Sequence, residues 1–192
     1  MSFLVEVARG LHGAWRLAHR DASAIQLFEN TPDAVWRSFL AIIVAAPADV
    51  LLTLLRPIER ADSESDLHFA LVELLVNLIG WFAFPLAAYY LAAVLDCLPR
   101  FCRFVAAYNW ASVLQHVAMV PVALLSVSEV MPDGIAALAE LAVIVAFLGY
   151  LWFVARTALE IDGLMAAGFV LLDILVSMTL SNLLAALHLE TL

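Results

Sequence analysis

The chain has 192 residues, of which 65% are hydrophobic and only 14% charged, with a mean hydropathy of +0.99. A water-soluble domain carries about 25% charged residues, so this composition excludes an ordinary soluble fold and predicts an integral membrane protein. The formal net charge is −9 and all nine basic residues are Arg. That excludes nucleic acid as a partner and a polybasic head-group anchor, and leaves the lipid bilayer as the first partner.

The first segment, SFLVEVARGLHGAWRLAHR, carries apolar residues at helical spacing. Phe3, Leu4, Val7, Leu11, Ala14, Trp15 and Ala18 share one stripe, with Glu6, Arg9, Arg16 and Arg20 on the other side. The pattern predicts an amphipathic helix lying in the membrane interface with Trp15 at head-group depth, or equally a helix packed on the rest of the protein. The same charges interrupt any continuous apolar core, so the segment does not read as a cleavable signal. Residues 1–30 are thus read as interfacial helix and connector, and 31–192 as a transmembrane bundle.

TPDAVW then opens a helix. Thr31 can cap it, Pro32 suits the first helical position, and Asp33 complements the positive end of the dipole. About 20 mostly apolar residues follow, enough to cross the hydrocarbon core. Pro47 falls inside this span and is expected to kink it. After the acidic loop RPIERADSESD, a second span covers 68–95 and is expected to tilt or bend near Pro85. The third, fourth and fifth spans cover 103–128, 134–157 and 162–189, separated by the turns SEVMPDG and LEIDG. The fold class is therefore all-α, with five transmembrane helices. Cys97 and Cys102 form a C-x4-C pair, two ligands short of a structural zinc site, and read as reduced thiols with no metal.

Arginine placement sets the orientation. Arg9, Arg16, Arg20, Arg37, Arg100, Arg103 and Arg156 fall on the side that includes the N-terminus, and only Arg56 and Arg60 on the other. The bias predicts a cytoplasmic N-terminus and, after five spans, a C-terminus across the membrane. The 56–68 loop, SEVMPDG and the terminal HLETL then face outward.

Several spans carry polar groups. Asp49, Glu73, His116, Glu140 and Asp173 are ionisable, and Asn77, Asn109, Gln115 and Asn182 add amides. Charge at membrane depth is costly, so each ionisable group is a functional-site candidate. Counting along the spans puts Asp49, Glu73, His116 and Glu140 in the outer half, with Asn77 one turn from Glu73 and Asp173 nearer the middle. Two readings stay open. One is a polar site, open outward, that binds a cation or passes protons. The other is interhelical glue, with Asp49 bonded to backbone freed by Pro47 and Asp173 to a Ser, Asn or Tyr on a neighbour. Gln115 and His116 are adjacent, point about 100° apart, and are not expected to serve one small site. Asn109 reads as an interfacial residue beside Tyr108 and Trp110.

His116 is the only mid-span His, so a bis-His haem has no second ligand and no cofactor is expected. Ser112 lies one turn before His116, but no oxyanion donors, intramembrane-protease signature or phosphate loop accompany it, so no catalytic residue and no enzyme is expected.

FENTPDAVWRSF entering the first span, the pattern Arg-Phe-x-x-x-Tyr-Asn-Trp-Ala-Ser opening the third, and LWFVARTALEIDG closing the fourth carry a resemblance. Over about residues 30–190 the chain resembles the YIP family, small five-span membrane proteins whose eukaryotic members associate with Rab GTPases at Golgi and ER membranes. The resemblance implies that Tyr108, Trp110, Ser112 and Pro121 shape the third span, and it implies no catalytic residue. The Arg-only, Ala- and Leu-rich composition is like that of high-GC bacterial genomes, which places the likeness in a bacterial branch and the chain in the inner membrane.

Three functions follow as expectations. The first is a non-enzymatic protein of membrane organisation or protein–protein interaction, with a protein partner or a second copy of itself. The second is a proton- or cation-coupled transporter or channel subunit. The third is an accessory subunit of a larger membrane enzyme.

Overall fold

A computed structural model describes residues 3–55, 66–128 and 133–189. Among them there is no strand. The expectations about the outward-facing 56–65 loop, the start of SEVMPDG and the last three residues lie outside the described residues. Helix α1 covers Phe3–Ala18, α2 Pro32–Ser38, α3 Leu40–Leu55, α4 Asp66–Val94, α5 Phe101–Val127, α6 Asp133–Leu159 and α7 Gly163–Leu189. Short 3-10 helices, Ala22–Leu27 and Leu98–Arg100, lead into α2 and α5. Five helical stretches are long and apolar enough to cross a membrane: Pro32–Leu55, His68–Val94, Leu98–Val127, Gly134–Leu159 and Gly163–Leu187. The protein is an all-α, membrane-type bundle.

The first span starts as its sequence predicts, with Thr31 Oγ1 accepting a hydrogen bond from the Ala34 amide at 3.2 Å. The helix breaks at Phe39, which no sequence signal marks, and α3 carries Pro47 inside it. The Ser38 hydroxyl donates to the Val35 carbonyl at 2.7 Å, and Phe39 N–H bonds back three residues to Trp36 rather than four. Local side-chain bonding of this kind competes with the helical ladder.

Helix α5 is the centre of the bundle, packed against α1, α2, α3 and α6, while α4 packs chiefly on α7. The core is concentrated at one end. It contains Ala41 and Ala45 of α3, Phe84 and Ala88 of α4, Phe104–Val113 of α5, Val154–Leu159 of α6, and Ala166 and Phe169 of α7. Past Val113, α5 is half-buried or exposed, and the facing halves of α6 and α7 bury little. The helices are thus close-packed at one end and leave cavities between them at the other.

Ion pairs tie the packed end together. Arg9 and Arg37 each reach both Glu6 and Glu29, at 2.6–3.3 Å, which joins α1, the connector and α2. Arg103 donates to the Ala158 carbonyl (2.7 and 3.1 Å) and to Glu160 (2.8 Å), and Arg100 also pairs with Glu160 at 2.8 Å. Asn30 bridges the Pro99 carbonyl and the Arg103 amide. Arg9, then Arg37, holds the Glu29 carboxyl below its ordinary 4.5, and Arg103 with Arg100 does the same for Glu160. Three helices end here with a non-glycine residue in the left-handed region, Arg20, Asp96 and Glu160. In each, the next residue's amide bonds the carbonyl five residues back, the closure of a Schellman motif.

Helix α1 docks on this end through a face that only partly overlaps the hydropathy stripe, at Val7, Leu11 and Ala14. Its buried residues are Glu6, Gly10, Gly13, Ala14 and Leu17. Glu6 was expected on the outer, polar side, but it is buried because Arg9 and Arg37 neutralise it there. Gly10 lies against the Trp110 indole, Gly13 against Phe28, and the Tyr150 hydroxyl donates to the Ala14 carbonyl at 2.7 Å. Small residues allow that close approach. Val7 and Leu11 are partly buried on the core, whereas Phe3, Leu4 and Trp15 remain exposed.

Candidate functional site

The loosely packed half holds the polar groups. Tyr108, Ser112 and His116 stand at successive turns of α5, about 6 Å apart along its axis. Ser112 Oγ donates to the Tyr108 carbonyl at 3.0 Å, and His116 Nδ1 lies 2.6 Å from the Ser112 carbonyl. His116 Nε2 lies 3.2 Å from Asp49 Oδ1 across the α3–α5 contact, and Trp81 of α4 stacks on the imidazole with centroids 5.8 Å apart. One step along α5, the Tyr108 hydroxyl donates to Asp173 Oδ1 of α7 at 2.8 Å.

Both ring nitrogens of His116 are directed at oxygen atoms, Nδ1 at the Ser112 carbonyl and Nε2 at the Asp49 carboxylate. An imidazole beside a carboxylate within a span is the kind of pair that relays protons.

Three adjoining cavities surround this pair. The first, about 250 Å³, lies between α4, α5 and α7 and is lined by Asn77, Trp81, Tyr108, Gln115, His116 and Asp173 among others. The second, about 430 Å³, runs between α3, α5 and α6 past Gln115, His116, Ser126 and Glu140. The third, about 400 Å³, lies between α3 and α4 and contains Asp49, Glu73 and Asn77. Gln115 and His116 line both the first and the second, and Asn77 both the first and the third. Every ionisable candidate in the spans therefore lies on this set of cavities, and among the described residues no arginine lines any of them.

Several expectations change at this level. Gln115 and His116 do share a site, since a cavity on each side of α5 lets residues 100° apart reach both. Asp49 lies 3.2 Å from His116 across the helix contact, a partner the sequence could not assign. Asp173 bonds a tyrosine, as the glue reading had it. Asn182 lines none of the three cavities. Asn109 is fully buried between helices and donates to Ser38 Oγ at 2.9 Å, pinning α5 to the helix break at Phe39. Trp81 and Ser177, both on the first cavity, carried no signal in an apolar span. Ser112 and His116 do not form a nucleophile–base pair, because the imidazole contacts the serine's carbonyl rather than its hydroxyl.

Cys97 and Cys102 are free thiols, and burial pushes the Cys97 thiol up. Among the described residues no three His, Cys, Asp or Glu side chains come together as a metal site. Compared with known protein families, with curated proteins and with solved structures, the chain finds no match.

Proposed function

We propose that this chain is a proton- or cation-coupled transporter or channel subunit, working through its intramembrane carboxylates and His116. The observation that carries the reading is the Asp49–His116 pair, a carboxylate and an imidazole 3.2 Å apart where two cavities meet. Glu140 on one side and Glu73 and Asp173 on the others extend ionisable groups away from it. Four carboxylates line these cavities, a lining that favours cations over anions. Ionisable groups in spans are costly and mark proton relays and ion paths. The arginine-rich end supports a bacterial inner-membrane location with the N-terminus cytoplasmic and the C-terminus periplasmic.

The test is flux in proteoliposomes under an imposed pH or cation gradient. Wild type should dissipate the gradient, and Asp49→Asn and His116→Ala should each reduce the rate at least tenfold. A wild-type protein that moves neither protons nor any of several cations removes the reading.

A second reading is a non-enzymatic membrane-organising protein like the YIP family. Its support is the exposed Phe3, Leu4 and Trp15 on the docked α1, an apolar edge suited to lipid or to a partner helix. Pull-down in mild detergent should then return a stable partner or a homo-oligomer, and an inert monomer overturns it.

A further inference from the structure

We infer that the cavity between α4, α5 and α7 is a binding site for a small organic ammonium ion, with Asp173 as its counter-charge. The inference rests on the cation-handling reading and names a substrate class for it. The cavity holds about 250 Å³, room for about eight waters at ~30 Å³ each, and so fits a ligand of only a few heavy atoms.

Its walls divide the recognition. Asp173 is held by the Tyr108 hydroxyl through one oxygen, and a carboxylate with about four lone-pair sites keeps acceptor capacity beyond one bond. Trp81, Phe84 and Tyr108 supply aromatic surface, whose π faces attract a desolvated cation. Asn77 and Gln115 add amide carbonyls that can accept from an ammonium N–H. Among the described residues no arginine lines the cavity, and His116, its one basic group, lies 3.2 Å from the Asp49 carboxylate. A bare metal ion would find oxygen ligands on Asp173, Asn77 and Gln115 but would gain nothing from the apolar contact of the aromatic walls. A compact alkylammonium finds a counter-ion, hydrogen-bond acceptors and apolar contact together.

The experiment titrates the purified full chain in mild detergent with methylammonium chloride at constant ionic strength, and reads tryptophan fluorescence. Trp81→Phe assigns the signal among the five tryptophans. Wild type should saturate. Asp173→Asn should raise the half-saturating concentration about tenfold, the loss of a charge-assisted hydrogen bond. Ser177→Phe, which narrows the cavity without touching the charge, should weaken binding as well. Sodium over the same range should give no saturable response. An unresponsive wild type, an Asp173→Asn protein equal to it, or an equal response to sodium overturns the inference. No gradient is present. Proton flux without methylammonium binding therefore strikes this inference alone, and binding without any flux strikes the transport reading alone.

Discussion

Replacing Gly10 by alanine should loosen the dock of α1. A Cβ at this position would sit 2.2 Å from Trp110 Cε2 and 2.3 Å from Cδ2, where ordinary contact begins at 3.4 Å. Either α1 or the indole must move by about 1.2 Å to restore contact distance. The indole has little freedom, since Trp110 is 1% exposed in the densest part of the core. Overpacking of this kind costs about 3 kcal/mol at the upper end of its range. Alanine recovers about 1 kcal/mol of helix propensity. The net is about 2 kcal/mol of destabilisation, or about 4–8 °C in Tm for a chain this long. Gly149→Ala and Gly168→Ala supply the control, because an added Cβ at either meets nothing within 4 Å. Those two should be neutral or stabilised by up to about 1 kcal/mol. The assay is thermal unfolding in mild detergent, paired with limited proteolysis to detect a released N-terminal segment. If Gly10→Ala melts together with Gly149→Ala and resists protease as well as wild type, α1 does not pack on Trp110 as described.

Other consequences are as direct. Asn109→Ala and Ser38→Ala should each destabilise by about 1–3 kcal/mol, and a double-mutant cycle should return a coupling of about 0.6 kcal/mol; strict additivity would refute the bond. Asp96→Gly relieves a left-handed conformation in an exposed residue and should stabilise by about 1 kcal/mol, read as a higher Tm. Arg103→Lys removes the forked contact to Ala158 and Glu160 and should cost about 1–2 kcal/mol, which Arg103→Lys in a Glu160→Gln background would only partly repeat. Glu29 and Glu160 have folded-state values below 4.5, so the stability they contribute is complete above about pH 4.5 and lost as pH falls through the lower folded values. Unfolding followed from pH 7 to pH 3 should steepen in that window, and the steepening should flatten in the Glu29→Gln, Glu160→Gln double variant. A double variant as acid-sensitive as wild type would place the effect elsewhere.

By itself the sequence determined how many times the chain crosses a membrane and which positions within the spans are polar. Length and hydropathy decide the first, because an unbroken apolar run of about 20 residues has few alternatives. The cap at Thr31 was equally legible, since its physics is local. What the sequence left open was direction. The spans are apolar nearly all round, so periodicity marks no inward face, and lipid demands none. Whether His116 meets Asp49, whether Gln115 opens to the same cavities, and whether Asn109 points to water or to Ser38 depend on how each helix is rotated about its axis. Helix α1 shows the same limit from the other side. Its hydropathy stripe was clear, yet the docked face is the one with glycines and a neutralised glutamate, because close approach to Trp110 and pairing with Arg9 and Arg37 outweigh apolar burial there. Only the tertiary structure brings those partners within reach, and only there do five ionisable groups from five helices line one set of adjoining cavities with the Asp49–His116 pair at its centre.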